Sequence, residues 1–219
     1  MLGFSTTQNV LALGREAFFP GVEADLPKGR SALLRADDLV PQFGFVGTHY
    51  PVRRVLLIGI NPGNGRRNDV RTRGDAEMMP VLASFVANPT AENFAAAMQA
   101  YKTQCQHWPL WKRHCSEVIG VGKLSLDDIA YSNCLPWRTE SQSNFDDSVA
   151  FKALKLYVEP LFEELQPRLI IALGKRAASI LRHTQKQLPE MVVWNRAQAA
   201  TITVKQERAE AAERILQLL

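Results

Sequence analysis

Four positions at the ends of apolar runs carry the chemistry that this sequence offers: Asn61, Asn133, Gly174 and Asn195. The plainest is Asn61. The run Val55 to Ile60 reads as a strand buried on both faces, and it stops at Asn61-Pro62-Gly63. Pro62 has no N–H for a sheet ladder, and Gly63 tolerates backbone angles that other residues avoid. An amide held on such a turn can both donate and accept a hydrogen bond. Cations stand next to it. Between Pro51 and Asp75 lie Arg53, Arg54, Arg66, Arg67, Arg71 and Arg73, against Asp69 and Asp75. Six minus two leaves four, which equals the net charge of +4 of the whole chain. Guanidinium groups are permanently charged and bidentate, so a cluster beside a cleft suits phosphate, in a nucleic acid or a nucleotide. The plainer alternative for such a cluster is a solvated loop.

The elements that must position these residues follow from apolar periodicity. Ile129 to Leu135, Leu169 to Leu173 and Met191 to Trp194 read as three further strands. They end at Asn133, Gly174 and Asn195. Helices are expected over 80–86, 91–101, 109–119, 150–165, 175–181 and 207–219, with Thr90 as a cap and a kink at Pro160. Strands alternating with helices predict an α/β domain with a central, mainly parallel four-stranded sheet flanked by helices. Ligands of such sheets bind beyond the carboxyl ends of the strands, which here would bring the four positions to one edge. Residues 1–219 are expected to form a single domain, with 1–50 an N-terminal extension or layer packed on it. A helix through Val10, Leu11, Leu13 and Ala17 opens that layer.

Composition narrows the class. Apolar residues make up 46% and charged residues 22%, as in a globular protein able to bury a sizeable core. No apolar run approaches transmembrane length, and the first residues lack the pattern of a signal peptide, so a cytoplasmic protein with no membrane partner is expected. Cys105, Cys115 and Cys134 are odd in number and argue against a disulfide framework.

Taken in order, four segments resemble the uracil-DNA glycosylase superfamily. Gly59-Ile60-Asn61-Pro62-Gly63 is similar to its first catalytic motif, in the form used by the mismatch-specific (thymine/uracil) and single-strand-selective branches. Tyr131-Ser132-Asn133-Cys134 resembles the strand end that carries the base-reading Asn. Leu169 to Ala178 is similar to the core strand and the helix after it. Trp194-Asn195-Arg196-Ala197-Gln198 stands where the family has its second motif, usually His-Pro-Ser or Asn-Pro-Ser. The resemblance covers roughly residues 54 to 219.

The resemblance implies a monofunctional DNA glycosylase that hydrolyses the N-glycosidic bond of a damaged base, uracil first. Asn61 would orient the attacking water without acting as a strong base, because an amide does not titrate near neutrality. Gly59, Ile60, Pro62, Gly63 and Asn133 would line the base, with Asn133 offering N–H to uracil O4 and C=O to N3–H. Asn195 would donate to the O2 oxyanion of the departing base. Arg66, Arg67, Arg138 and Lys175 would grip DNA phosphates, and Arg196 would probe the space the base leaves. No cofactor and no metal are implied, and no oligomeric state. The family's Pro and Ser after Asn195 are here Arg196 and Ala197. Gly63 stands where an aromatic can exclude thymine's methyl group, and the stacking aromatic is open among Phe85, Trp108 and Trp137. The three Cys do not reproduce the four of the iron–sulfur members. A catalytically weak member that binds nucleic acid or a nucleotide is the main alternative. Hydrolysis of a free nucleoside or nucleotide is a weaker one.

Other constellations fall short. Cys105, His107, His114 and Cys115 share a segment, but the neighbours His114 and Cys115 diverge by about 100° on a helix, so core or surface positions suit them better than a metal site. Gly122-Lys123 and Gly174-Lys175 lack both the earlier Gly and the following Ser or Thr of a phosphate loop. Cys134 has no His fixed near it in sequence, so a cysteine hydrolase is unsupported.

Overall fold

A computed structural model describes residues 2–14, 17–19, 40–62, 66–67, 70–71, 73–138, 147–197 and 201–219, with the backbone alone at 66–67, 70–71 and 73–74. The protein is α/β, with one five-stranded mixed sheet flanked by helices. The strands are β1 (Phe45–Val46), β2 (Val55–Gly59), β5 (Ile129–Asn133), β6 (Leu169–Leu173) and β7 (Glu190–Trp194). They lie in the order β1-β5-β2-β6-β7. The four strands expected from sequence all form, and each pairs in parallel with its neighbours among them. The four-stranded expectation needs one correction. The fifth strand, β1, runs antiparallel on the edge beside β5. It is two residues long, too short for any period to show. A separate small ladder joins β3 (Arg66–Arg67) to β4 (Val70–Arg71).

β2, β5 and β6 are buried at every residue because both faces of the sheet are covered. On one face Leu56, Ile58, Ala130, Ile170 and Ala172 pack against α1 (Phe4–Leu13), the single turn α2 (Tyr50–Arg53), α6 (Asp147–Ala153), α7 (Glu159–Leu165) and α8 (Lys175–Leu181). On the other, Val55, Leu57, Tyr131, Ile171 and Trp194 meet α3 (Arg73–Ala87), α4 (Ala91–Gln104), α5 (Ser116–Val121) and α9 (Ile202–Leu218). Full burial of each Leu or Ile stabilises by about 1.5–3 kcal/mol relative to exposure. The amino end of α1 is held by the carboxylate of Glu164, which accepts from Thr6 N at 2.9 Å and from its hydroxyl at 2.6 Å.

Several helices depart from expectation. Pro80 lies inside the fifteen-residue α3 and does not open a helix. Thr90 caps α4 as expected, its hydroxyl accepting from Asn93 N at 3.2 Å. The expected 150–165 helix is interrupted by a π-helical turn, Leu154–Val158, before Pro160 in the first turn of α7. Proline has no N–H and crowds the carbonyl four residues back, so the wider turn precedes it. Leu154, Val158, Leu161 and Leu165 still face inward. The 109–119 helix becomes a π-helical turn, Trp111–Cys115, running into α5. Thr201 caps α9, which begins five residues before the expected start. Among the described residues no helix is long and apolar enough to cross a membrane.

Candidate functional site

The parallel register brings the carboxyl ends of β5, β2, β6 and β7 to one edge in that order. Neighbouring strands stand about 4.8 Å apart, so the strands of Asn133 and Asn61 are one spacing apart, and those of Asn61 and Asn195 about 10 Å.

The chain beyond β2 stays against the chain beyond β5. Cys134 N donates to Gly59 O at 2.8 Å, and Leu135 N donates to Ile60 O at 2.9 Å. Asn61 and Pro62 are consequently buried, Asn61 being 6% exposed, while Ile60 is partly buried. Gly59 lies directly opposite Asn133 in the ladder. A Cβ on Gly59 would stand 2.5 Å from Asn133 Oδ1, so any larger residue there would make that amide shift. Asn133 is fully buried. Its Oδ1 accepts from the Tyr131 hydroxyl at 3.3 Å, and its Nδ2 has no partner. The Tyr101 hydroxyl is close to the same amide but outside hydrogen-bonding geometry. Burial raises the pKa of both phenols, which stay protonated and able to donate.

β6 and β7 end together as well. Gly174 N donates to Trp194 O at 2.9 Å, and Gly174 adopts φ +104°, a conformation that favours glycine. The stem of Arg196 crosses above it, its Cδ 3.7 Å from where a Cβ would be. Asn195 is turned toward α9. Its Nδ2 donates to the Glu207 carboxylate, and its Oδ1 accepts from Ala197 N at 2.8 Å. Arg208 completes the clasp, donating from Nε to Asn195 O at 2.9 Å and from Nη2 to Ala197 O at 3.2 Å. Lys175 is 71% exposed at its side chain and pairs with Glu207 at 2.8 Å. Lys175 first and Asn195 second hold the Glu207 carboxyl below its usual range.

Positive charge gathers at this edge. Burial, with Arg208, Arg196 and Arg113 nearby, depresses His114 to about 4, so it is neutral near pH 7. Its Nδ1 has no partner. The charge of Arg196 also reaches the Tyr131 hydroxyl and Cys115. Among the described residues Arg196 makes no ion pair.

Arg138, expected at a phosphate, is 3% exposed and pairs with the buried carboxylate of Asp75. Turned so that its oxygen faces the guanidinium, Gln42 accepts from Arg138 Nε at 2.9 Å and Nη2 at 3.2 Å. Arg66 and Arg67 contribute their backbone to β3. Gly63 and Gln198 lie outside the described residues. Phe85 packs on Phe94, Trp108 meets Tyr101 edge-on, and Trp137 lies against Phe18. All three are engaged in hydrophobic packing. Cys105 and Cys115 are buried thiols, and among the described residues no group of three or more His, Cys, Asp or Glu could hold a metal ion.

The structure thus gathers Asn61 and Asn133 at adjacent strand ends and pins the buried Asn195 to α9. Sequence reasoning missed Asp75, Glu207, Tyr131 and Gln42 as members of this edge. Asp75 entered only as a charge, and Glu207 only as the start of a helix. No family model and no curated protein matches this chain, so the site is read from its own geometry.

Proposed function

We propose that the protein is a DNA glycosylase of the uracil-DNA glycosylase type, hydrolysing the N-glycosidic bond of a damaged base, uracil foremost. The observation that carries this reading is the pair of buried amides, Asn61 and Asn133, at neighbouring carboxyl ends of a parallel sheet. Asn133 keeps a buried N–H without a partner, and such donors are rare unless a ligand or water meets them. On this reading the sheet is a variant of the glycosylase fold, with β1 added at its edge. Asn61 orients water toward the sugar, and Asn133 reads the base.

The leaving base becomes an anion and needs positive charge beside it. Asn195 suits that role poorly, since its amide is engaged by Glu207 and Ala197 N. Arg196 suits it better, because it is partly buried, carries no ion pair among the described residues and extends over Gly174. The arginines at 66, 67, 71 and 73 would steer DNA toward this edge. No cofactor or metal enters the reaction. The engaged Asn195 equally favours the second reading, a weak or inactive member of the fold that retains nucleic-acid binding.

The test is a cleavage assay on oligonucleotides carrying one uracil, single-stranded or opposite A or G, with hot alkali to break abasic sites. Alkali-dependent breaks at uracil, lost in Asn61→Ala while binding persists, are expected. Binding without breaks favours the second reading, and neither binding nor breaks rejects both.

A further inference from the structure

Lys175 and Asn195 converge on one carboxylate. Glu207 of α9 accepts from Lys175 Nζ through Oε1 at 2.8 Å and from Asn195 Nδ2 through Oε2. Lys175 opens α8 just past the end of β6, and Asn195 follows the end of β7, so both donors stand at the carboxyl edge of the sheet. The turn at 195–197 has a separate fastening to α9. Arg208 donates to the backbone carbonyls of Asn195 at 2.9 Å and Ala197 at 3.2 Å. Glu207 instead holds side chains, one of them an ammonium that is largely exposed, and exposed ion pairs are weak enough to exchange partners. Its two oxygens meet the donors as the two free oxygens of a phosphodiester would, since both groups present a forked pair of acceptors.

We propose that Glu207 is an internal stand-in for a nucleic-acid phosphate: in the free protein it occupies Lys175 and Asn195, and an arriving strand takes Lys175 from it. This rests on the glycosylase reading for its ligand, a DNA backbone. The carboxylate is ionised near neutrality, because Lys175 and then Asn195 hold its pKa below the usual range. Its contact with Lys175 must be given up before that cation can grip a phosphate, which makes the contact autoinhibitory. Neutralising Glu207 therefore frees Lys175 in advance and tightens binding. Losing a merely structural clasp would leave binding unchanged or loosen it.

The experiment titrates a labelled, undamaged duplex oligonucleotide with the full-length protein at low salt. Glu207→Gln keeps the volume and an acceptor for Asn195 while removing the charge. It should bind about twofold to fivefold more tightly, the worth of an exposed pair that no longer has to be broken. Made together with Lys175→Ala, the same change should lose at least half of that gain. Glu210→Gln removes the same charge from α9, where the carboxylate meets Gln206, and should leave affinity unchanged. No gain in Glu207→Gln, a gain that survives the loss of Lys175, or an equal gain in Glu210→Gln overturns the proposal. If Glu207→Gln does not fold, Lys175→Ala alone decides. A strand that takes Lys175 predicts a slope of log binding against log salt flatter by about 0.9, and an unchanged slope overturns it. If the unaltered protein does not bind DNA, the glycosylase reading fails separately. Binding gained in Glu207→Gln then sustains the autoinhibitory contact, and binding in neither protein overturns it.

Discussion

Gly59 and Asn133 face each other across the β2–β5 ladder, and the Cβ that Gly59 lacks would stand 2.5 Å from Asn133 Oδ1. The amide as it stands therefore uses the space that the missing Cβ leaves. Gly59→Ala should destabilise by about 1–3 kcal/mol in urea unfolding, the usual range for overpacking a closed interior. Gly120→Ala is the control. It lies in α5 with nothing within 4 Å of its would-be Cβ, so it should be neutral or stabilise by about 0.4–1 kcal/mol.

Arg138 and Asp75 form a buried pair 63 residues apart in sequence. Removing one partner of such a pair leaves an uncompensated buried charge, so Arg138→Ala should cost about 3–5 kcal/mol. Lys175→Ala, at an exposed pair, should cost at most about 1 kcal/mol. Denaturant midpoints of the two variants would separate these roles. A well-folded Arg138→Ala with weakened DNA binding would instead return Arg138 to the phosphate-gripping group.

His114 makes stability depend on acidity. Its pKa falls from 6.5 in the unfolded chain to about 4 in the folded one, so the unfolded state binds the proton more readily. The contribution is fully present above pH 6.5 and is lost as the pH falls toward 4. A shift of this size is worth on the order of 3 kcal/mol for a group 9% exposed. Unfolding free energy measured between pH 7 and pH 4 should decline less steeply in His114→Gln than in the unaltered protein. Parallel declines would remove His114 as the cause.

The arginine-rich stretch after β2 makes a prediction about salt. If Arg66 and Arg67 each meet a phosphate, reversing both to Glu should flatten the dependence of log binding on log salt by about 0.9 for each phosphate left unneutralised. Titrating DNA binding between low and physiological salt measures this slope. An unaltered slope would take the β3–β4 segment out of the interface.

Much of the frame is legible in the sequence because it rests on local patterns. Val55–Gly59, Ile129–Asn133, Leu169–Leu173 and the stretch from Met191 to Trp194 are largely apolar runs closed by amide or glycine residues, and runs of that kind form strands in a sheet covered on both faces, as the first three are along their whole length. The two-residue β1 is illegible, because so short a strand shows no period and exists only through its partner β5. Pro80 misleads for a related reason. Proline favours a first turn on average, but tertiary packing carries α3 through it.

At the candidate site the sequence by itself determined which residue types stand at the strand ends: Asn61, Asn133, Gly174, Asn195. Their arrival at one edge also followed, since parallel strands joined by helices leave no other place for their carboxyl ends. Only the tertiary structure decided how each side chain is used. Asn133 lies against Gly59 and accepts from Tyr131, Asn195 is drawn to Glu207, and Arg138 is buried on Asp75. The physical reason is range. A strand and its turn are written in neighbouring residues, whereas the partner of a buried amide or cation comes from another element, and its identity follows from packing.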